Sequence, residues 1–172
     1  KNAVLTSDCL YIGIEPSRKQ LEIHAKKANK DGLKNALFVV GTAEDLPKEL
    51  TDKVDSTHVI LPWGTLLKYV TQPDEDVLYK IAASLKTGGS LKIILGYSME
   101  FEPSEVERLN LESISGEYIE KMLAPRYQSL GLKMRKMDIL NKKALNNFET
   151  TWCKKLSFGK KRPMFYLEFL KI

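Results

Sequence analysis

Apolar residues along this chain fall into short runs that alternate with longer stretches of helical spacing. The run "CLYIGIEP" is rich in β-branched and aromatic residues and stops at Pro16, which predicts a strand followed by a turn. "SRKQLEIHAKKANK" has neither glycine nor proline, sets Leu21, Ala25 and Ala28 at helical spacing, and is ended by Asp31-Gly32. "ALFVVG" predicts a second buried strand, "TAEDLPKEL" a loop with a turn of helix, and "VDSTHVIL" a third strand. Over 73–86, "PDEDVLYKIAASLK" opens on proline and acids, aligns Val77, Leu78, Ile81, Ala82 and Leu85, and ends in lysine, the polarity a helix dipole favours. Thr87-Gly88-Gly89 is expected to close that helix ahead of a fourth strand, "SLKIILGY". Beyond it, "PSEVERLNLESISGEYIEKMLAPRYQSLG" reads as mainly helical with a break near Ser115-Gly116, and "LKMRKMDIL" and "RPMFYLEFL" read as two late strands.

Strands alternating with helices at this spacing imply βαβ units and a mainly parallel sheet flanked by helices, finished by an antiparallel pair. No repeat or low-complexity linker interrupts the pattern, so residues 1–172 read as one α/β domain, long enough to bury a core. No apolar run is long enough to cross a bilayer and the first residues lack a signal pattern, so the expectation is a cytoplasmic protein with no membrane association. Cys9 and Cys153 are far apart and outside any C-x-x-C pair. With only His24 and His58 beside them, no metal site is expected, and Cys9 reads as a buried thiol.

Charge changes the picture. Residues 126–172 carry 12 Lys+Arg against 3 Asp+Glu, whereas residues 1–125 carry 15 against 19. A basic final third on an acidic body suits a polyanion-binding face, with a solvated basic surface as the alternative.

In open parallel sheets, ligands bind beyond the carboxyl ends of the strands. Glu15 follows the first strand, where a carboxylate accepts hydrogen bonds from a ribose diol or caps the next helix. Glu44, after the second strand, either lines an adenine pocket among small residues or is a solvated acid at a helix start. Trp63 follows the third strand in "VILPWGTLLKY". Pro62 ends strand pairing there and Gly64 permits a sharp turn, which favours a ring on the ligand-bearing rim over one packed in the core. Trp152 precedes "CKKLSFGKKR"; an aromatic ring among clustered cations suits nucleic acid, because phosphates supply affinity while a base stacks on the ring, with a helix whose lysines snorkel over an apolar face as the alternative. A strand leading into a glycine-rich turn, the usual start of a nucleotide-cofactor fold, does not precede Cys9, so the pattern begins one βα unit late.

At "YIGIEP", "TAEDLP", "ILPWGTLLKYV" and "TWCKKLSFGKKR" the chain resembles the 16S ribosomal RNA adenine-N1 methyltransferases, the kanamycin and apramycin resistance family. The stretches follow the family's order and cover nearly the whole chain; the last two together are the most specific. The resemblance implies a Rossmann-like class I S-adenosylmethionine-dependent methyltransferase fold, with the family's first strand and glycine-rich loop missing from this chain. It implies a monomer that methylates 16S rRNA in the 30S subunit. Glu15 then holds the cofactor ribose with Pro16 shaping its loop, Thr42, Ala43 and Glu44 surround the adenine, Ile60, Leu61 and Thr65 run along the methionine side, and Thr150 supplies a hydroxyl. Trp63 and Trp152 match the family's base-sandwiching pair. Lys26, Lys27, Arg108, Lys155, Lys160 and Arg162 match positions that hold RNA. Glu15 departs from the family's commoner aspartate by one methylene, which still reaches a ribose.

The competing expectations are a methyltransferase of the same fold on another RNA such as tRNA, and a non-catalytic RNA-binding domain. An NAD-type or nucleotide-sugar enzyme, suggested by Glu15 alone, lacks both a glycine fingerprint and a Tyr-x-x-x-Lys pair.

Overall fold

The computed structural model describes residues 2–146 and 163–172. Two compact units emerge, Lys1–Leu46 and Pro47–Ile172.

The first unit contains α1 (Asn2–Leu5), β1 (Tyr11–Glu15), α2 (Arg18–Lys30), β2 (Ala36–Val40) and a 3-10 turn (Ala43–Asp45). β1 and β2 pair in parallel, with Tyr11 opposite Ala36 and Glu15 opposite Val40. α2 begins where Ser17 Oγ accepts the Gln20 N–H at 3.4 Å, satisfying one orphan donor of the first turn. It ends before Gly32, whose φ of +67° glycine adopts without steric cost. Leu21 and Ala28 are buried, as their spacing predicts.

Two expectations fail in this unit. Cys9 is exposed rather than buried. Its backbone carbonyl, not its thiol, is what the fold holds: Asn35 Nδ2 donates to the carbonyls of Ala3, Thr6 and Cys9 at 3.0, 3.1 and 3.0 Å. β2 is not buried throughout either, since Leu37 and Val40 stand out to solvent. An apolar run reports strand propensity but not how many faces find neighbours.

The second unit begins with a 3-10 turn (Lys48–Leu50), followed by β3 (Val54–Ile60), α3 (Thr65–Thr71), α4 (Glu75–Ser84), β4 (Leu85–Leu95) and α5 (Pro103–Leu109). Then come α6 (Gly116–Tyr118), a π-helical segment (Ile119–Leu123), α7 (Ala124–Ser129), β5 (Leu132–Ile139), α8 (Lys142–Asn146) and β6 (Phe165–Lys171). The sheet order is β3-β4-β6-β5. β3 and β4 are parallel, and β6 runs antiparallel to both β4 and β5. The expected antiparallel pair is therefore present, with the last strand in the middle of the sheet. Its alternate residues Phe165, Leu167 and Phe169 are at most 2% exposed, as a central strand requires. β5, at the edge, carries exposed Lys133, Arg135 and Lys136 and a register shift between Met134 and Lys136, features that discourage edge-to-edge pairing.

Thr87-Gly88-Gly89 does not close a helix. α4 stops at Ser84 and the strand has begun by Leu85, so the glycines form an irregularity inside β4. A Cβ on Gly89 would lie 2.8 Å from the Lys86 carbonyl and 3.2 Å from that of Asp55, so two backbones meet there. The predicted break near Ser115-Gly116 is real but longer. α5 is terminated by Asn110 in the left-handed region, and Ser115 Oγ then caps α6 through the Tyr118 N–H at 3.1 Å. The π-helical segment ends two residues before Pro125, which has no N–H to continue the regular ladder.

One face of this sheet builds the main core. Tyr127 of α7 stacks on Phe169 at 4.2 Å between ring centroids, with Leu91 opposite Phe169 on β4. The same tyrosine reaches α3, donating from its hydroxyl to the Val70 carbonyl at 2.9 Å, while Tyr118 donates to the Thr71 carbonyl at 2.9 Å. A seven-residue helix leaves its last carbonyls without partners, and these two tyrosines supply them. Burial pushes the Tyr127 hydroxyl's pKa far above the usual phenol range, so it stays a donor. Tyr127→Phe should lower unfolding free energy by about 1–2 kcal/mol, because a buried carbonyl loses its donor. The check is urea denaturation: the midpoint should fall with an unchanged slope.

No described helix is long and apolar enough to cross a membrane.

Candidate active site

In the first unit, Glu15 is the last residue of β1 and Thr42, Ala43 and Glu44 follow the end of the adjacent parallel β2. The register sets Glu15 opposite Val40, and the Gly41 N–H donates to the Glu15 carbonyl at 3.3 Å. Four of the predicted cofactor residues thus lie at the carboxyl ends of this strand pair. Glu15 is half-buried, and its Oε1 accepts the Ser17 N–H at 2.9 Å. Part of the helix-capping role left open by the sequence is therefore taken, by one carboxylate oxygen. Pro16 is exposed in the same turn. Thr42 precedes the 3-10 turn in extended conformation without a side-chain cap. Lys26 and Lys27 are exposed on α2, with Lys26 Nζ 4.0 Å from Glu22.

In the second unit, β3 ends at Ile60 and the chain turns sharply through 61–64 into α3. Leu61 takes a φ of +50°, uncommon for a branched side chain and costing roughly 1–3 kcal/mol. Three contacts hold this turn. The Leu61 N–H donates to the Ile94 carbonyl on β4 at 2.8 Å, and Leu61 packs against a small cluster of Ile94, Leu145 and Met164. At the other end the Gly64 N–H donates to Glu105 Oε1 at 3.0 Å. Gly64 itself has φ 63° and ψ −141°, a region essentially confined to glycine.

Between these anchors Pro62 is buried and Trp63 is 54% exposed. The ring is on the rim rather than in the core, as Pro62 and Gly64 predicted. It lines a cavity of about 430 Å³ with Leu61, Pro62, Phe101, Pro103 and Glu105. Thr65 opens α3 and is exposed.

Glu105 was not legible as a site residue. It lies in α5, is 8% exposed, and forms a forked pair with Arg108: Nη2 to Oε1 at 2.8 Å and Nε to Oε2 at 2.9 Å. The Arg108 hydrogen bond holds the carboxyl below its ordinary pKa, burial opposes this, and the Gly64 N–H adds to the lowering. Arg108, expected as an RNA contact, is thus engaged with Glu105. Its position in "SEVERL" gave an i, i+3 pair, but nothing nearby in sequence pointed to Gly64.

Thr150, Trp152, Lys155, Lys160 and Arg162 lie outside the described residues. Among the described residues, no group of three His, Cys, Asp or Glu side chains is arranged to hold a metal ion.

Parallel strands alternating with helices, and a sheet ordered β3-β4-β6-β5 with its last strand antiparallel, are consistent with a methyltransferase fold. The family model described as NpmA: 16S rRNA (adenine(1408)-N(1))-methyltransferase matches residues 1–170. The chain belongs to this family.

A 16S rRNA (adenine(1408)-N(1))-methyltransferase of Escherichia coli is 32% identical over 170 residues, covering 96% of this chain and 78% of that protein. The crystal structure of the aminoglycoside resistance methyltransferase NpmB1 superposes with a TM-score of 0.84 at 36% identity, over 99% of this chain and 80% of its own. A tryptophan-to-alanine variant of the 16S rRNA (adenine(1408)-N(1))-methyltransferase from Catenulisporales acidiphilia, solved with cosubstrate SAM, superposes at 0.86 with 25% identity, over 99% of this chain and 79% of that one. As a member of the adenine-N1 methyltransferase family, the chain shares a mixed α/β methyltransferase architecture with these proteins.

Proposed function

We propose that this protein transfers a methyl group from S-adenosylmethionine to N1 of an adenine in the decoding site of 16S rRNA in the 30S subunit, giving aminoglycoside resistance. The family match over residues 1–170 carries this reading. An exposed tryptophan beside a cavity at the end of β3 supports it independently. The chain acts as one methyltransferase domain, as a monomer in the cytoplasm.

The first unit's residues fit the nucleoside part of the cofactor. A half-buried carboxylate at a strand end, beside the small residues Gly41, Thr42 and Ala43, suits a diol and a flat purine. Glu15 accepts from the ribose hydroxyls while Thr42, Ala43 and Glu44 border the adenine. Ile60, Leu61 and Thr65 border the methionine side, to which Thr150 adds a hydroxyl. When bound, S-adenosylmethionine supplies an electrophilic methyl group on sulfonium sulfur.

The target adenine brings its own nucleophile, because N1 carries an in-plane lone pair and is essentially unprotonated near neutral pH. No general base is needed, and the protein's work is extraction and orientation of the base. Trp63 and Trp152 grip its two faces, and their π-faces also favour the positive charge that methylation leaves on the ring. Lys26, Lys27, Lys155, Lys160 and Arg162 engage rRNA phosphates.

Primer extension on 30S subunits tests the reading, since N1-methyladenine blocks reverse transcription. A new stop at the decoding-site adenine is expected only with both protein and S-adenosylmethionine present. Transfer to tRNA without that stop would redirect the assignment to another RNA. Binding of 30S subunits without transfer would make this a non-catalytic RNA-binding domain.

A further inference from the structure

The peptide between Trp63 and Gly64 is held by a side chain 41 residues away in sequence. Its N–H, that of Gly64, points to Glu105 Oε1 at 3.0 Å, and both Glu105 oxygens are in turn held by the Arg108 fork at 2.8 and 2.9 Å. Orienting this N–H fixes ψ of Trp63 and φ of Gly64, the two torsions that aim the exposed indole relative to α3. The other end of the turn is already fixed by the Leu61 N–H on Ile94. Glu105 is a costly choice for a helix's first turn inside a pocket wall. A charged carboxylate at 8% exposure is tolerated only when paired and hydrogen-bonded, and here each bond serves the Trp63 turn or the group that holds it.

We propose that Glu105 is a positioning residue for base stacking, locking the Trp63 turn in its working orientation, and that Arg108 acts through Glu105 rather than as a phosphate contact. This rests on the reading that Trp63 stacks on the target base. Glu105 acts through the Gly64 N–H: it sets how often the indole is correctly aimed when the base arrives. The loss on its removal therefore falls on kcat, not on cofactor binding or subunit docking.

The experiment is a kinetic cycle on the full chain with 30S subunits: Glu105→Ala, Glu105→Gln, Arg108→Ala, the double alanine variant, and Trp63→Ala. Glu105→Ala should lower kcat about tenfold or more, with KM for subunits and Kd for S-adenosylmethionine within about twofold. Arg108→Ala should show a smaller loss of the same kind, and the double variant should be no worse than Glu105→Ala, because the two residues act as one unit. Glu105→Gln keeps an oxygen acceptor for the Gly64 N–H and should recover most of the rate. It also carries the test if the alanine variant does not fold.

A second readout reports the ring itself. In a Trp152→Phe background Trp63 is the sole tryptophan, and Glu105→Ala should raise its acrylamide quenching while circular dichroism stays unchanged. Wild-type kcat in Glu105→Ala, with Trp63→Ala inactive, would overturn the positioning role and leave the base-stacking reading standing. The role is equally overturned if Arg108→Ala raises KM and flattens the salt dependence while Glu105→Ala does neither, since that is the signature of a phosphate contact. Full activity in Trp63→Ala would remove both.

Discussion

Trp63→Ala is expected to lower methylation of 30S subunits by about a hundredfold, with affinity for S-adenosylmethionine kept within about twofold. The size follows from two contributions. Base–aromatic stacking is worth about 1–3 kcal/mol, a factor of roughly 5 to 150, and it offsets the few kcal/mol needed to pull an adenine from its stack. The loss of orientation adds to this, because N1 must meet the methyl carbon in line. Cofactor affinity is spared because the indole lies on the rim, 54% exposed, while the backbone of the strand end is held by the Leu61 N–H on Ile94. Trp63→Phe should retain part of the rate, having a smaller π-face in the same turn. The measurement is single-turnover methyl transfer alongside calorimetric titration with S-adenosylmethionine; an unimpaired rate would end the base-sandwich account. Trp152→Ala should show the same split, since either ring alone leaves the base one-sided.

The turn around Trp63 shows what a sequence discloses and what it hides. Pro62 and Gly64 are local signals: one ends strand pairing, the other admits backbone angles closed to other residues, and together they predicted an outward ring. Gly64's φ of 63° and ψ of −141° bear this out. The strain at Leu61 left no such mark, because its φ of +50° is imposed by the Ile94 hydrogen bond and by packing against Met164 and Leu145. Glu105 was invisible for the same reason. Helical spacing pairs it with Arg108, but its bond to Gly64 exists only once α5 has packed beside the turn.

The same division runs through the fold. Asp31 and Gly32 bounded the end of α2 from sequence because caps act within a turn of the chain, while the Ser17 cap at its start is a structural finding. Thr87-Gly88-Gly89 misled for the converse reason. Glycines after a helical pattern usually mark its end, yet Gly89 answers to the close backbones of Val54 and Asp55, 35 positions earlier for the first of them, and Gly88 to a φ of +79° within the strand. The position of β6 between β4 and β5 is a tertiary choice too; alternating burial of Phe165, Leu167 and Phe169 fits it, but the pattern alone names no neighbours.

Glu15→Ala is expected to weaken S-adenosylmethionine binding by roughly ten- to a hundredfold, because a hydrogen bond to a charged group is worth about 1.5–3 kcal/mol. The carboxylate already has one short bond, Oε1 to the Ser17 N–H at 2.9 Å, which fixes the side chain at the strand end before any ligand arrives. A pre-oriented acceptor loses little conformational entropy on binding, so most of the interaction energy reaches the affinity. The alanine variant also leaves the Ser17 N–H without that partner, at the start of α2, where Ser17 Oγ still caps Gln20. Helix formation should therefore survive and the loss should appear in binding. Glu15→Gln separates the two functions: its amide oxygen can still take the Ser17 N–H, but it offers no charge to the diol, so affinity should fall while stability holds. Glu15→Asp, one methylene shorter, should bind nearly as the parent does. Calorimetric titration of the three variants, read against thermal melting without ligand, decides the matter. If Glu15→Ala binds normally, the carboxylate is a capping group for its own turn and the ribose is held elsewhere.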